Sequence, residues 1–339
     1  MASQRLSNFE LCRLVSILCV TVVHTTFQPL GFDVPFGVLL TAGFSIIGVD
    51  VFVMLAGYFT ATPKKISIVN LAFVCFFWMV ISVAFHYVFE NRISYSYLFF
   101  ITSSNWFIPS YIGLLFMAPI LNLFCQEVSE KALKTTVIAL LFIEIWFDWL
   151  PPHPVISLGT HNGHSVLSFI ILYLLARTIR LYGLPKWFKK SSLFVYIGCS
   201  LLLAVMAQYV LEIGHEEKVR WCFADNNPIV IVSSVAFLMM FEQIRMKQSN
   251  LINHLAKSTL AVLLGHCAIF FLYKKQFKFL YDHFSGIQVV LYWALAVIIV
   301  FCASIMLDQL RLLLYKPIEK FMKARIKNNV FVDISDVKK

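Results

Sequence analysis

The side chains best suited to chemistry in this sequence are ionisable groups placed inside long apolar runs: Arg13, His24, Asp50, Glu144, Asp148, Glu242 and His266. If those runs cross a bilayer, each such group costs about 2.5–3.5 kcal/mol at the centre and needs a partner, a water-filled cavity or a function. Arg13 and His24 are eleven positions apart, so on a helix they share a face and stand roughly 16 Å apart along the axis. An imidazole is a natural acid or base near neutrality. Asp50, on the next apolar run, falls at about the depth of His24. The expectation is that its carboxylate holds one ring nitrogen of His24 and leaves the other as a base; the alternative is a His–Asp pair that only satisfies itself between packed helices.

His266 closes the stretch Ser258-Thr-Leu-Ala-Val-Leu-Leu-Gly-His266 near the middle of a late apolar run. It requires a partner or water there, although a lone His on an apolar helix is also a common packing residue. Glu144 and Asp148 lie one helical turn apart, next to a loop that carries His153, His161 and His164. That group suits acceptor hydroxyls or a metal, but its loose spacing specifies no metal set, and interfacial solvation explains it as well.

The elements that position these groups follow from composition. Of the 339 residues, 60% are apolar and 14% charged, with a mean hydropathy of +0.79, which excludes an ordinary water-soluble domain. Alternating strands are absent, so the expectation is all-α and not a barrel. Ten helical spans are predicted, at roughly 9–28, 42–62, 67–89, 105–125, 134–150, 165–182, 192–213, 227–245, 256–273 and 286–310. An even number puts both termini on one side. Sorting Lys and Arg by alternating loops places about 22 with the termini and about 6 opposite, so the termini are assigned to the cytoplasm. The net charge of +10 then reflects topology, and nucleic acid is not an expected partner.

Residues 1–310 read as one transmembrane domain with an uncleaved first anchor, and 311–339 as a basic tail suited to lie as a helix on the inner leaflet. Seven of the eight cysteines fall in or at the end of spans and Cys222 stands in an outer loop, which specifies neither a disulfide framework nor a metal site. Trp106, Trp146, Trp149 and Trp221 sit near outer boundaries, as an aromatic belt does.

At these residues the chain resembles the acyltransferase 3 family of integral membrane O-acyltransferases that modify bacterial surface polysaccharides. Asn8-Phe-Glu-Leu-Cys-Arg13, ten residues and His24 resemble its first-helix motif. Gly48-Val-Asp50-Val-Phe-Val-Met-Leu-Ala-Gly57-Tyr58-Phe resembles the second, Trp106-Phe-Ile-Pro109-Ser-Tyr111 with Pro119-Ile-Leu-Asn122 the fourth, and Ser258 to His266 a late helix. The likeness runs in order over about residues 5–310. Ala56 stands where the family usually has Ser. Thr62-Pro63-Lys64-Lys65 replaces a pair of arginines, keeping the charge without the guanidinium fork.

The resemblance implies a multi-pass protein of a bacterial inner or cytoplasmic membrane that moves an acyl group, commonly acetyl, from cytoplasmic acyl-coenzyme A to a sugar hydroxyl outside. His24 is the implied catalytic histidine, with Arg13 its motif partner; Asp50 is the orienting acid that the spacing argument suggests. Lys64, Lys65 and Arg13 are the candidates for the donor phosphates. Glu144, Asp148, Trp106 and His266 are those for the acceptor, a saccharide or lipid-linked polysaccharide. The donor is a substrate; no resident cofactor is expected. His24 either deprotonates the acceptor directly or first accepts the acyl group. The other classes in view are a transporter or flippase of a lipid-linked saccharide, and a non-catalytic assembly subunit.

Overall fold

The computed structural model describes residues 6–93, 105–151 and 159–326. All of its regular structure in those segments is helical. The helices are α1 (Ser7–Leu30), α2 (Phe36–Ser45), α3 (Gly48–Tyr58), α4 (Lys65–Glu90), α5 (Phe107–Glu127), α6 (Glu130–Glu144), α7 (Val166–Tyr182), α8 (Lys186–Glu212), α9 (Val219–Cys222), α10 (Pro228–Gln243), α11 (Asn250–Leu255), α12 (Thr259–Ala268), α13 (Phe270–His283) and α14 (Gly286–Arg325). A π-helical turn, Ile145–Trp149, extends α6.

Among the described residues six units are long and apolar enough to cross a membrane: Ser7–Phe27, Phe36–Tyr58, Lys65–Glu90, Phe107–Glu127, Lys186–Glu212 and Gly286–Arg325. A pair bent by 73°, Asn250–Ala268 with Phe271–His283, makes a seventh if it is counted as one span. The stretches read as spans five, six and eight contain the shorter helices α6, α7 and α10. The expected second span is present but shifted toward the N-terminus: α2 and α3, joined at Ile46–Ile47 by a turn with helical backbone angles, run as one unit that ends at Tyr58.

Side chains are distributed as lipid demands. Phe76, Phe116, Ile138, Phe194, Ile299 and Met306 are exposed, while Ser16, Asp50, Ser234 and His266 are buried. Inside a bundle these polar groups find partners that hydrocarbon cannot supply. Local signals set the ends. Ser129, Ser165, Asn227 and Ser249 cap α6, α7, α10 and α11 by accepting from backbone N–H groups, and Pro228 opens α10 where no N–H is needed.

Helix α1 is the hub, in contact with α2, α3, α10, α12, α13 and α14. Its approach to α3 depends on Gly48, where a Cβ would come within 2.6 Å of the Ser16 carbonyl oxygen and 2.8 Å of Val20. Helix α14 runs unbroken for 40 residues and carries the start of the basic segment, as far as Arg325, in line with the last span. At 1.5 Å per residue that is about 60 Å, twice a hydrocarbon core, so one end must project from it. Arg311 is nonetheless buried, bonded through Nε to Asp308, through a terminal nitrogen to Asp308 Oδ2 at 3.2 Å, and through the other to Asn70 at 2.9 Å.

Candidate active site

Helix α1 carries one of the expected site residues into each of two chambers. The first, of about 680 Å³, is lined by Arg13, His254, Lys257, Arg311, Lys316 and Glu319 among others, and its charge is predominantly positive. Arg13 reaches it beside Glu10, at 3.7 Å, with its guanidinium 6.0 Å from the Phe52 ring centroid. The second, of about 440 Å³, is lined by His24, Trp106, Asn162, His164, Arg220 and Asp225 over a wall of Val20, Val23, Phe27 and Val49. We refer to them as the basic chamber and the histidine chamber. Between them Ile17, Val20, Val49, Phe52, Phe107 and Leu263 leave about 10 Å³, the least that admits one water. Val20 and Val49 also line the histidine chamber and Phe52 the basic one. This neck therefore lies between the two, packed closed.

His24 Nδ1 lies 2.8 Å from the Val20 carbonyl oxygen. A carbonyl only accepts, so Nδ1 carries the proton and Nε2 keeps its lone pair. The expected bond from Asp50 is not made. Asp50 accepts from Ser234 Oγ at 3.3 Å, and its other oxygen is buried without a hydrogen bond among the described residues. Asp50 lies in the first turn of α3 and faces α10, while the Val20 carbonyl of α1 itself takes the ring nitrogen of His24. His266 is fully buried behind His24, with ring centroids 4.9 Å apart. Its Nδ1 is likewise tied to a backbone oxygen, that of Val262 at 2.8 Å, and its Nε2 lies 3.5 Å from Cys267 Sγ.

A family model described as an acyltransferase domain, that of the acyltransferase 3 family, matches residues 6–308. The chain belongs to the acyltransferase 3 family. No curated protein and no solved structure matches it. It is thus an acyltransferase and, with its set of long apolar helices, a multi-pass membrane protein.

The structure of this acyltransferase brings some of the expected site residues together and sends others to support. Arg13 enters the basic chamber; His24 and Trp106 line the histidine chamber. Lys64 and Lys65 are exposed at the start of α4, and Ile66 and Ser67, not these lysines, line the basic chamber. Glu144 and Asp148 do not face open solvent as acceptor ligands. Glu144 is buried and accepts from Ser168 Oγ, at the head of α7. Asp148 accepts from the Asn162 N–H at 3.2 Å and from Asn226 Nδ2 at 2.6 Å, tying two loops to each other. Glu242 pairs with Lys189 at 2.9 Å and accepts from the Tyr58 hydroxyl at 2.7 Å. His153 lies outside the described residues.

Sequence reasoning did not single out Asp225, Arg220 or Lys257. His164 was noted only as a loop histidine. Its Nε2 is 3.3 Å from Asp225 Oδ2, and its ring stacks on Trp106 at 3.9 Å. Among the described residues no group of three or more His, Cys, Asp or Glu is placed to hold a metal ion. Cys222, the outer-loop cysteine, is buried, and burial pushes its thiol up to about 11, which disqualifies it as a ready nucleophile.

Proposed function

We propose that this protein moves an acyl group, acetyl in the simplest case, from cytoplasmic acyl-coenzyme A to a hydroxyl of a surface or lipid-linked polysaccharide on the other side of the membrane. In this reading the chain spans the membrane ten times with both termini in the cytoplasm, so the basic chamber faces inward. The membrane is the inner or cytoplasmic membrane of a bacterium. Arg13, Lys257 and Lys316 attract the donor phosphates there, Arg311 is held in place by Asp308, and Lys64 and Lys65 add positive field from the neighbouring turn. The thioester enters through the neck, whose side chains must part to admit it. Between turnovers the closed neck keeps the bilayer tight.

The observation that carries this reading is the free Nε2 of His24, in a chamber that lies across the neck from the basic one on the same helix face. That nitrogen either takes the acceptor proton or accepts the acyl group. Asp50, His266 and Trp106 shape its surroundings, with Asp50 and His266 acting from behind the chamber wall. Glu144 and Asp148 contribute by holding the acceptor-side loops. The apolar wall with a few convergent polar groups suits a hydroxyl-rich ligand.

The test is acetyl ester on surface polysaccharide, released by mild alkali, in cells carrying the wild-type gene or His24→Ala at equal protein level. A fall of about 10²–10⁴-fold is expected on losing the group. Undiminished ester in the variant overturns the reading.

A further inference from the structure

We propose that His164, backed by Asp225, is the second base of the histidine chamber and takes the proton of the acceptor hydroxyl while His24 carries the acyl group. The proposal rests on the acyl-transfer reading and deepens it by choosing the two-step route.

The need for a second base follows from His24 itself. Its Nδ1 proton is committed to the Val20 carbonyl, so Nε2 is its one working atom. Once Nε2 is acylated, it cannot also accept a proton. Among the chamber's lining residues the remaining titratable groups are Arg220, Asp225 and His164, and a guanidinium does not act as a base. His266, Asp50 and Glu144 are buried behind the wall and none of them lines the chamber.

His164 has the arrangement that a working imidazole requires. Asp225, with 6% of its side chain exposed, stands 3.3 Å from Nε2. The two groups stand at ion-pair distance, and no side-chain hydrogen bond to that carboxylate is found among the described residues. The carboxylate therefore favours the tautomer with the proton on Nε2 and leaves the lone pair on Nδ1, and it stabilises the imidazolium formed when Nδ1 takes a proton. Stacking on Trp106 within 16° of parallel limits rotation of the ring. With 29% of its side chain exposed, His164 is open to a ligand and to water. Asp225 and His164 are also near enough to bear electrostatically on His24.

The surrounding loops are built to hold this pair. Gly163 has φ +94°, and a Cβ there would come within 2.5 Å of the Asp225 Cβ, so only glycine lets the two loops approach. Asp148 bonds Asn162 on one loop and Asn226 on the other, the neighbours of Gly163 and Asp225. A carboxylate aligning both flanks accounts for a buried acid that touches no chamber.

The chemistry balances. His24 Nε2 attacks the thioester carbonyl, the C–S bond breaks, and the thiolate takes a proton on the basic-chamber side. The acceptor oxygen then attacks the acyl carbon and the C–N bond to His24 breaks. Its proton passes to His164 Nδ1 and from there to water at the chamber mouth. One thioester and one alcohol yield one ester and one thiol.

The experiment uses membranes of cells carrying the full chain, radiolabelled acetyl-coenzyme A, and the cells' own surface glycan as acceptor. His164→Gln and Asp225→Asn are expected to lower glycan esterification, the former by about 10²–10⁴-fold. Labelled acetyl should accumulate on the protein, and His24→Ala added to His164→Gln should abolish that label. In His164→Gly, added imidazole should restore part of the transfer, which a purely structural histidine would not allow. Transfer by His164→Gln at more than half the wild-type rate overturns the proposal. So does lost transfer with acetyl-coenzyme A still bound but neither label on the protein nor imidazole rescue. If His24→Ala transfers normally, the acyl-transfer reading falls first; if His24→Ala is dead and His164→Gln is not, only this inference falls.

Discussion

The two chambers are built from different materials. The basic chamber is a gap between helices: Arg13 from α1, Lys257 beside α12, and Arg311 and Lys316 from α14 project from helical backbone and from a turn directly preceding it. The histidine chamber takes His24, Ser45 and its apolar wall from long helical spans. Asn162, His164, Ala224 and Asp225 come from short connections, and Asn162 and Gly163 have positive φ. On the proposed function, the difference means that the donor and acceptor roles are separable. Charge on rigid helices needs only rough placement to attract phosphates, whereas proton transfer at a hydroxyl needs loops fixed to within tenths of an ångström.

The neck offers the largest way to break that comparison. Phe52→Trp enlarges a side chain where about 10 Å³ is free, so donor passage should fail while each chamber keeps its own residues. Glycan esterification is expected to drop by 10²-fold or more, with acetyl-coenzyme A binding, read by calorimetry on the purified protein, little changed. Normal transfer in that variant would mean that the donor does not use this route.

Next in size, the basic chamber separates lining charges from neighbouring ones. Lys257→Ala and Lys316→Ala each remove a cation that lines it. A charge-assisted hydrogen bond is worth about 1.5–3 kcal/mol, so the apparent KM for acetyl-coenzyme A should rise about tenfold or more per site, with kcat nearly constant. Lys64→Ala with Lys65→Ala removes charges that are exposed and outside the lining and should raise KM by much less. Equal effects from the two pairs would return the phosphate site to the start of α4.

How much of this was readable beforehand follows the same division. Apolar runs located most helices, because hydropathy is a local property, and the spacing of Arg13 and His24 put them on one face because helical rise is fixed. Asp50 was paired with His24 on depth alone, because sequence does not show which neighbouring helix a side chain faces, and here it faces Ser234 of α10. The expected carboxylate–imidazole pair does exist, but between His164 and Asp225. Those residues lie in separate loops, and their meeting depends on a glycine and on Asp148, not on periodicity. Lys257 and Lys316 were not singled out, because sequence shows that a lysine lies near a membrane face but not whether it points into a cavity.

Two glycines give a finer test of the acceptor side. Gly159 and Gly163 both have positive φ, +77° and +94°, yet among the described residues an added Cβ meets nothing within 4 Å at Gly159 and meets Asp225 at Gly163. The backbone strain of alanine, about 1 kcal/mol or somewhat more, should be common to both. Only Gly163→Ala should push Asp225 from His164. It is expected to cut transfer about tenfold beyond Gly159→Ala, with an unchanged KM for acetyl-coenzyme A. Matching losses would show that loop strain, not the His164–Asp225 contact, controls the rate.

The smallest effect is expected at the clasp that closes the same end of the bundle. Trp149 and Trp221 stack at 4.7 Å and exchange hydrogen bonds, each indole N–H donating to the other's carbonyl oxygen at 3.2 and 2.5 Å. Trp149→Phe keeps a ring in the stack and removes one donor, which should cost about 0.5–1.5 kcal/mol and lower the unfolding temperature in detergent by a few degrees. Asp148, next in the chain, still reaches Asn162 and Asn226, so transfer per folded molecule should hold. A rate that falls with the clasp would make the tryptophan pair, and not Asp148, the element that aligns the acceptor loops.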